Sequence, residues 1–175
     1  MKSFEPGSTE SYLALARTWA ATVTVVTVRR APELVSASAP EFDGFTATAF
    51  LMVSMSPPII AVSATAASSA SAMLREASAF AVSMLTPAQA ELAAAFARPA
   101  SERSGWWERV PHGLDDAGVP LIGGATGAWS ARVRQLVDAG DHTLVLGDVT
   151  AIHLGGGSDT LVYHNRAFGR VAPIT

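Results

Sequence analysis

The chain has 175 residues, 49% of them hydrophobic and 15% charged, with 12 basic against 15 acidic side chains for a formal net charge of −3. That length and apolar content predict one domain over residues 1–175 with a sizeable core, and they exclude a disordered chain. The basic residues are scattered, so there is no concentrated positive footprint for nucleic acid, and the lack of cysteine excludes disulfides, thiolate metal sites and thiol catalysis.

The opening segment MKSFEPGSTE meets acids and a proline before any apolar run, unlike a signal peptide, and no apolar stretch approaches the roughly 18–20 residues of a membrane span. The expectation is a cytoplasmic protein with no membrane partner. Residues 9–20 carry apolar side chains at helical spacing and predict a leading helix. The β-branched run ATVTVVTVRR, residues 21–30, predicts a strand, because stiff branched side chains suit a pleated surface. Residues 31–42 are rich in Ala, Ser and Pro and predict a loop, with Asp43-Gly44 as a turn into the next strand.

Residues 45–54 predict one continuous strand, with Phe45, Ala47, Ala49, Leu51 and Val53 on one face and Thr46, Thr48, Phe50, Met52 and Ser54 on the other. Pro57 and Pro58 lack the amide hydrogens a ladder needs and end it. A buried strand follows at 59–65, a helix at 68–77 and a strand at 80–85. The next helix, 86–97, starts with Thr86 as N-cap, Pro87 at its first position and Gln89 three residues after the cap. Residues 98–126 read as a loop-rich surface excursion. Three strands close the chain at 128–138, 142–154 and 160–164, the first pair linked by AGD and the second by GGGSD. Many strands with a few short helices on the connections predict a closed or nearly closed β-barrel.

The histidines at 112, 142, 153 and 164 have no metal-ligand spacing, so no metal site is expected. Motifs for a serine nucleophile, a phosphate-binding loop or a zinc protease are absent. Two local features stand out. Residues 63–74, SATAASSASAML, place small and hydroxyl side chains between a strand and a helix, where free amides and the helix dipole favour an anion; Ser68 and Ser69 either add hydrogen bonds to that anion or simply cap the helix. His142 follows a hairpin turn, with Gly147 removing a side chain in mid-strand, where glycine often marks a close backbone approach. Its imidazole can bond a bound ring or carboxamide, or tie down the turn through Asp141.

Taken in order, ATVTVVT at 21–27, DGFTATAFLMVSMSPP at 43–58, SS at 68–69, FAVSML at 80–85, LAAAFA at 92–97, GVPLIGGATGAW at 118–129, GDHTLVLGDV at 140–149 and LVYHNRAF at 161–168 resemble the short-chain flavin reductase family. The resemblance covers about residues 12–170. It implies a mainly β fold with short helices, a split β-barrel of Greek-key type that dimerises and holds a flavin near the subunit interface. The main chain of Thr46, Ala47, Thr48 and Ala49 would lie along the isoalloxazine edge, with small side chains admitting the ring, threonine hydroxyls as local donors, and the prolines ending the strand where the cofactor's tail turns away. By the same resemblance Ser63, Ser68 and Ser69 fall in the ribityl and phosphate region, Phe96 borders the flavin, and His142 lies near the nicotinamide. Tyr163 and Arg166 match a motif at the edge of the site. Phe96 and Tyr163 fit a core or interface role equally well.

Where family members often have a polar or basic residue before the phosphate serines, this chain has Ala67, so the positive charge would come from Arg75, Arg98 or the other subunit. The activity implied is hydride transfer from NADH or NADPH to FMN or FAD, with reduced flavin passing to a partner monooxygenase. The alternatives are a flavoprotein that keeps its FMN and acts on another substrate, or a non-catalytic flavin carrier.

Overall fold

In a computed structural model that describes residues 8–36, 40–157 and 159–174, strands dominate and helices occupy the connections. A short helix α1 (Thr9–Ala16) leads into β1 (Ala21–Thr22) and β2 (Thr24–Arg29), then β3 (Phe42–Ala47), β4 (Phe50–Met55) and β5 (Pro58–Thr65). After these come α2 (Ser69–Glu76), β6 (Ala79–Met84), α3 (Ala90–Phe96) and α4 (Ala100–Arg103). The chain continues through β7 (His112–Leu114), β8 (Pro120–Ile122), β9 (Gly127–Ala139), β10 (His142–Leu154), β11 (Leu161–His164) and β12 (Ala167–Arg170).

Seven strands form one antiparallel sheet in the order β3-β2-β6-β9-β10-β5-β4. Its two terminal strands are successive in the chain and are joined only by Thr48 and Ala49, so the sheet returns on itself without a ladder between β3 and β4. The Ser63 amide donates to the Ala49 carbonyl at 3.0 Å, which carries the β4–β5 contact one residue beyond Phe50. The result is a split barrel.

The β-branched run of β2 is explained by burial on both faces. Val26 and Val28 point into a core with Phe45, Ile60, Val62, Phe80, Val82 and Val145, closed by Met73 and Leu74 of α2. Val23 and Val25 point into a second core with Leu85, Phe96, Val110, Ile122 and Leu161. Alternating side chains of one strand thus serve two cores.

Several expectations change. The leading helix ends at Ala16 rather than residue 20, and none of its residues is buried. The strand predicted over 21–30 breaks at Val23. Asp43 and Gly44 are not a turn; they pair with Val28 and Thr27 inside β3, where a Cβ on Gly44 would come within 2.9 Å of the Val26 carbonyl oxygen. Residues 45–54 are two strands, because β3 pairs with β2 while β4 pairs with β5 at the opposite end of the sheet. The segment at 98–126 is no mere surface excursion. It holds α4 and the β7–β8 ribbon, and it buries Arg103, Val110, Val119 and Ile122. Strand β11 does not pair with β10; with β1 and β12 it forms a separate three-stranded sheet. Of the GGGSD link, Ser158 lies outside the described residues, as do 37–39 of the loop predicted at 31–42.

The helix at 86–97 begins as expected: Pro87–Gln89 form a 3₁₀ turn before α3, and the Thr86 amide donates to the Gln89 side-chain oxygen at 3.1 Å. The close backbone approach expected at Gly147 is replaced by side-chain packing, from the core residues Phe80 and Ala131. A Cβ on Gly147 would meet Phe80 Cζ at 2.6 Å and Ala131 Cβ at 2.9 Å. Gly147→Ala is therefore expected to cost about 1–3 kcal/mol by overpacking, read as a lower urea midpoint with no change in slope. An unchanged midpoint would show that Phe80 has room to move.

Candidate active site

The seam between β3 and β4 opens into a groove of about 490 Å³, a volume suited to a small organic ligand. Phe45 to Ala49 form one wall, Ser63 to Thr65 and Ser68 to Ala70 another, and Phe96 to Pro99 with Arg103 a third, with His142 at the rim. β3 is a terminal strand, so its outer edge is free of strand pairing. Small side chains at Ala47, Ala49 and Ala64 leave the backbone of this wall approachable.

At the second wall α2 begins with Ser68 as N-cap. The Ser68 hydroxyl accepts from the Ser71 amide at 3.1 Å and donates to the Thr65 carbonyl at 2.6 Å. The capping role open in the sequence is thus the one this hydroxyl performs. The cap leaves the Ser69 and Ala70 amides at the open, positive end of the helix, both on the groove wall. The Thr46 hydroxyl is also committed, donating to the Ala93 carbonyl at 2.6 Å and tying β3 to α3. The hydroxyls of Thr48, Ser63 and Ser69 have no partner among the described residues.

His142 pairs with Thr65 across β10 and β5, which fixes its place at the rim. Its Nδ1 lies 2.8 Å from Asp141 Oδ1 and its Nε2 3.5 Å from Thr65 Oγ1. The hydrogen bond from His142, and then its charge, hold the Asp141 carboxyl below the usual aspartate range, so Asp141 stays ionised as pH falls further than a free aspartate would. The contact the structure shows is the one that ties down the turn, and it leaves the half-exposed ring at the groove.

A second, larger cavity of about 940 Å³ adjoins the first and shares Thr48, Ala49 and His142 with it. Its other walls come from α1, Trp19, Tyr163, Asn165 and Arg166. Asn165 and Arg166 form the two-residue turn between β11 and β12 with φ of 48° and 64°, the left-handed pair that such hairpins require.

Thr46, Ala47, Thr48, Ala49, Ser63, Ser68, Ser69, Phe96 and His142 thus come together at one groove, while Tyr163 and Arg166 line the adjoining cavity. Phe96 reaches the groove from below; its ring is fully buried against Trp107, with centroids 5.2 Å apart. Tyr163 packs edge-on against Phe168. β4 ends before the prolines as expected, but only Pro57 lies in the turn; Pro58 opens β5 paired with Met55, at the end of the hairpin remote from Ala49, and neither lines the groove. Arg75 is held elsewhere by Asp138 at 2.6 Å and Thr143 at 2.7 Å, whereas Arg98 is exposed on the groove wall. Sequence reasoning missed Arg103. Its position depends on an ion pair with Asp43, a contact between distant residues that no local pattern signals.

The family model for a flavin reductase like domain matches residues 16–172. The chain is 34% identical over 167 residues to the NADH:FMN oxidoreductase of Rhodococcus erythropolis, covering 93% of this chain and 82% of that protein. It is 32% identical over 162 residues to the reductase component of 4-hydroxyphenylacetate 3-monooxygenase from Thermus thermophilus, covering 90% and 93%. Among solved structures, the NADH:FAD oxidoreductase of Streptomyces globisporus C-1027 superposes with a TM-score of 0.84 at 27% identity, covering 100% of this chain and 94% of that one. On this evidence, with the split barrel and its seam groove, the chain belongs to the flavin reductase family.

Proposed function

We propose that this protein is an NAD(P)H-dependent flavin reductase, a single-domain enzyme that transfers hydride from NADH or NADPH to FMN or FAD and supplies reduced flavin to a flavin-dependent monooxygenase. The observation that carries this reading is the convergence of the β3–β4 seam, the start of α2 and His142 on one groove, in a chain of this family. Similar proteins include the NADH:FMN oxidoreductase of Rhodococcus and the monooxygenase reductase component of Thermus thermophilus.

The residues present fit a flavin. The unpaired edge of β3 offers main-chain donors and acceptors to ring heteroatoms, and the alanines leave it approachable. The Ser69 and Ala70 amides, with the exposed Arg98, suit an anionic tail. When bound, the flavin accepts a hydride from the nicotinamide, so the hard chemistry is the cofactors' own and the protein binds, orients and stabilises charge. The β3–β4 wall is assigned to the ring, and the start of α2 to the ribityl chain and phosphate. His142 serves as the group that orients the carboxamide or assists at the flavin's N5 and N1. Tyr163 and Arg166 serve the nicotinamide nucleotide from the adjoining cavity.

The test is an anaerobic spectrum of the protein with FMN or FAD, followed by addition of NADH or NADPH. Rapid bleaching of the oxidised flavin, with free flavin saturating as a substrate in the steady state, is the expected result. No bleaching with either nucleotide would overturn the enzyme reading.

The working unit is a homodimer. Leu51, Met52, Val53 and Met55 leave β4 with an exposed apolar surface at the sheet's end, more than a solvated edge strand ordinarily shows. A second copy covering it would enclose the seam. Met52→Asp together with Leu51→Asp is expected to halve the mass in sedimentation equilibrium, and a wild-type chain that sediments as a monomer would remove the dimer. Among the described residues no helix is long and apolar enough to cross a membrane. Dependence on a pyridine nucleotide donor is consistent with a cytoplasmic protein.

A further inference from the structure

One charged side chain on the groove is nearly inaccessible to solvent. Arg103, at the end of α4, is 3% exposed and lines the groove beside Phe45, Thr46 and Arg98. Its Nε donates to Asp43 Oδ1 at 3.2 Å and its Nη1 to the Arg98 carbonyl at 2.8 Å, while its Nη2 is buried and meets no acceptor among the described residues. Asp43 is shared. Its Oδ1 also accepts the Gly44 amide at 2.7 Å, and its Oδ2 accepts Arg30 Nη2 at 2.7 Å. Two guanidinium groups therefore surround one buried carboxylate, and the nearest further anion, Glu76, lies 3.6 Å from Arg30 with its side chain half exposed. The cluster carries an excess of buried positive charge and two buried guanidinium nitrogens without a partner among the described residues, Arg103 Nη2 and Arg30 Nε, where an unsatisfied donor is costly; of the two arginines only Arg103 lines the groove.

We propose that Arg103 is a flavin-binding residue. Its guanidinium, held in one orientation by Asp43 and the Arg98 carbonyl, offers its Nη2 group to an oxygen of the flavin, either on the phosphate or on the ring. The groove then grips its ligand with two cationic features: the amide end of α2 on one wall and Arg103 on another. Arg98, exposed and unbraced, is the lesser contributor. This assignment rests on the flavin occupying the seam groove.

The experiment compares FMN and riboflavin binding to wild type and Arg103→Lys by quenching of flavin fluorescence, with thermal melting run alongside. Loss of one charge-assisted hydrogen bond is expected to raise the FMN dissociation constant about 10- to 100-fold. If riboflavin binding is unaffected, the partner is the phosphate; if it weakens equally, the partner is a ring oxygen. A purely structural ion pair would lower the melting temperature and leave both dissociation constants as in wild type, which would overturn the proposal. Should Arg103→Lys fail to fold, a crystal structure of wild type with FMN decides. A flavin oxygen within hydrogen-bond distance of Nη2 supports the assignment, and a flavin bound in the groove with no oxygen at Nη2 removes it. FMN absent from the groove would remove both this assignment and the functional reading beneath it, whereas wild-type flavin reduction without the Arg103 contact would remove the assignment alone.

Discussion

Replacing His142 by alanine is expected to lower turnover about a hundredfold, the scale set by losing one orienting or proton-handling contact at the reacting atoms, while the flavin dissociation constant stays unchanged. The split between the two measurements follows from position. His142 stands where the seam groove meets the larger cavity, so it can touch whatever lies across that junction, yet the three walls of the groove are made by other residues. Its ring is half exposed and hydrogen-bonded chiefly to the exposed Asp141, so its removal leaves both cores intact. Rapid mixing of preformed enzyme–flavin complex with NADH under anaerobic conditions isolates the step. A hydride-transfer rate equal to wild type would take His142 out of the reaction and leave it as a brace for the β9–β10 turn.

Asp43→Ala is expected to destabilise the fold by about 3–5 kcal/mol, the usual cost of breaking a buried ion pair from one side. Asp43 is the counter-charge for both Arg30 and Arg103 and also receives the Gly44 amide. Truncation strands two cations and a backbone donor together. Asp43→Asn, which keeps an acceptor for Gly44, should cost less. Urea unfolding of the two variants measures the difference. A loss below about 1 kcal/mol in Asp43→Ala would place the cluster with exposed pairs, which are worth little. The cluster links stability to the site, because the residue that anchors Arg103 sits in the strand whose end forms the groove wall.

Much of the candidate groove was legible from the family resemblance together with local chemistry. The small residues at 46–49 and the serines at 63, 68 and 69 stand out in short windows, the resemblance assigned them to one site, and the structure gathers them at one groove with His142. What those windows could not tell is which hydroxyls remain available. Ser68 caps α2 and Thr46 binds the Ala93 carbonyl, a partner 47 positions away. Asp43-Gly44 has the composition of a turn, and only burial against Val26 and Phe96, with two arginines around the carboxylate, makes it strand.

By itself, the sequence determined the β-rich character of the chain, the capped starts of the helices near residues 68 and 86, the long β9–β10 hairpin, and the family to which the ordered pieces point. Side-chain periodicity, caps and turn residues act over a few positions, so they can be read without knowing the partner. Tertiary structure decided where the run at 45–54 divides, that β11 joins β1 instead of β10, and that Arg103 is buried beside the groove. Those outcomes depend on pairing and burial between segments far apart in the chain, where the favourable contact is a property of both partners and is written in neither one alone.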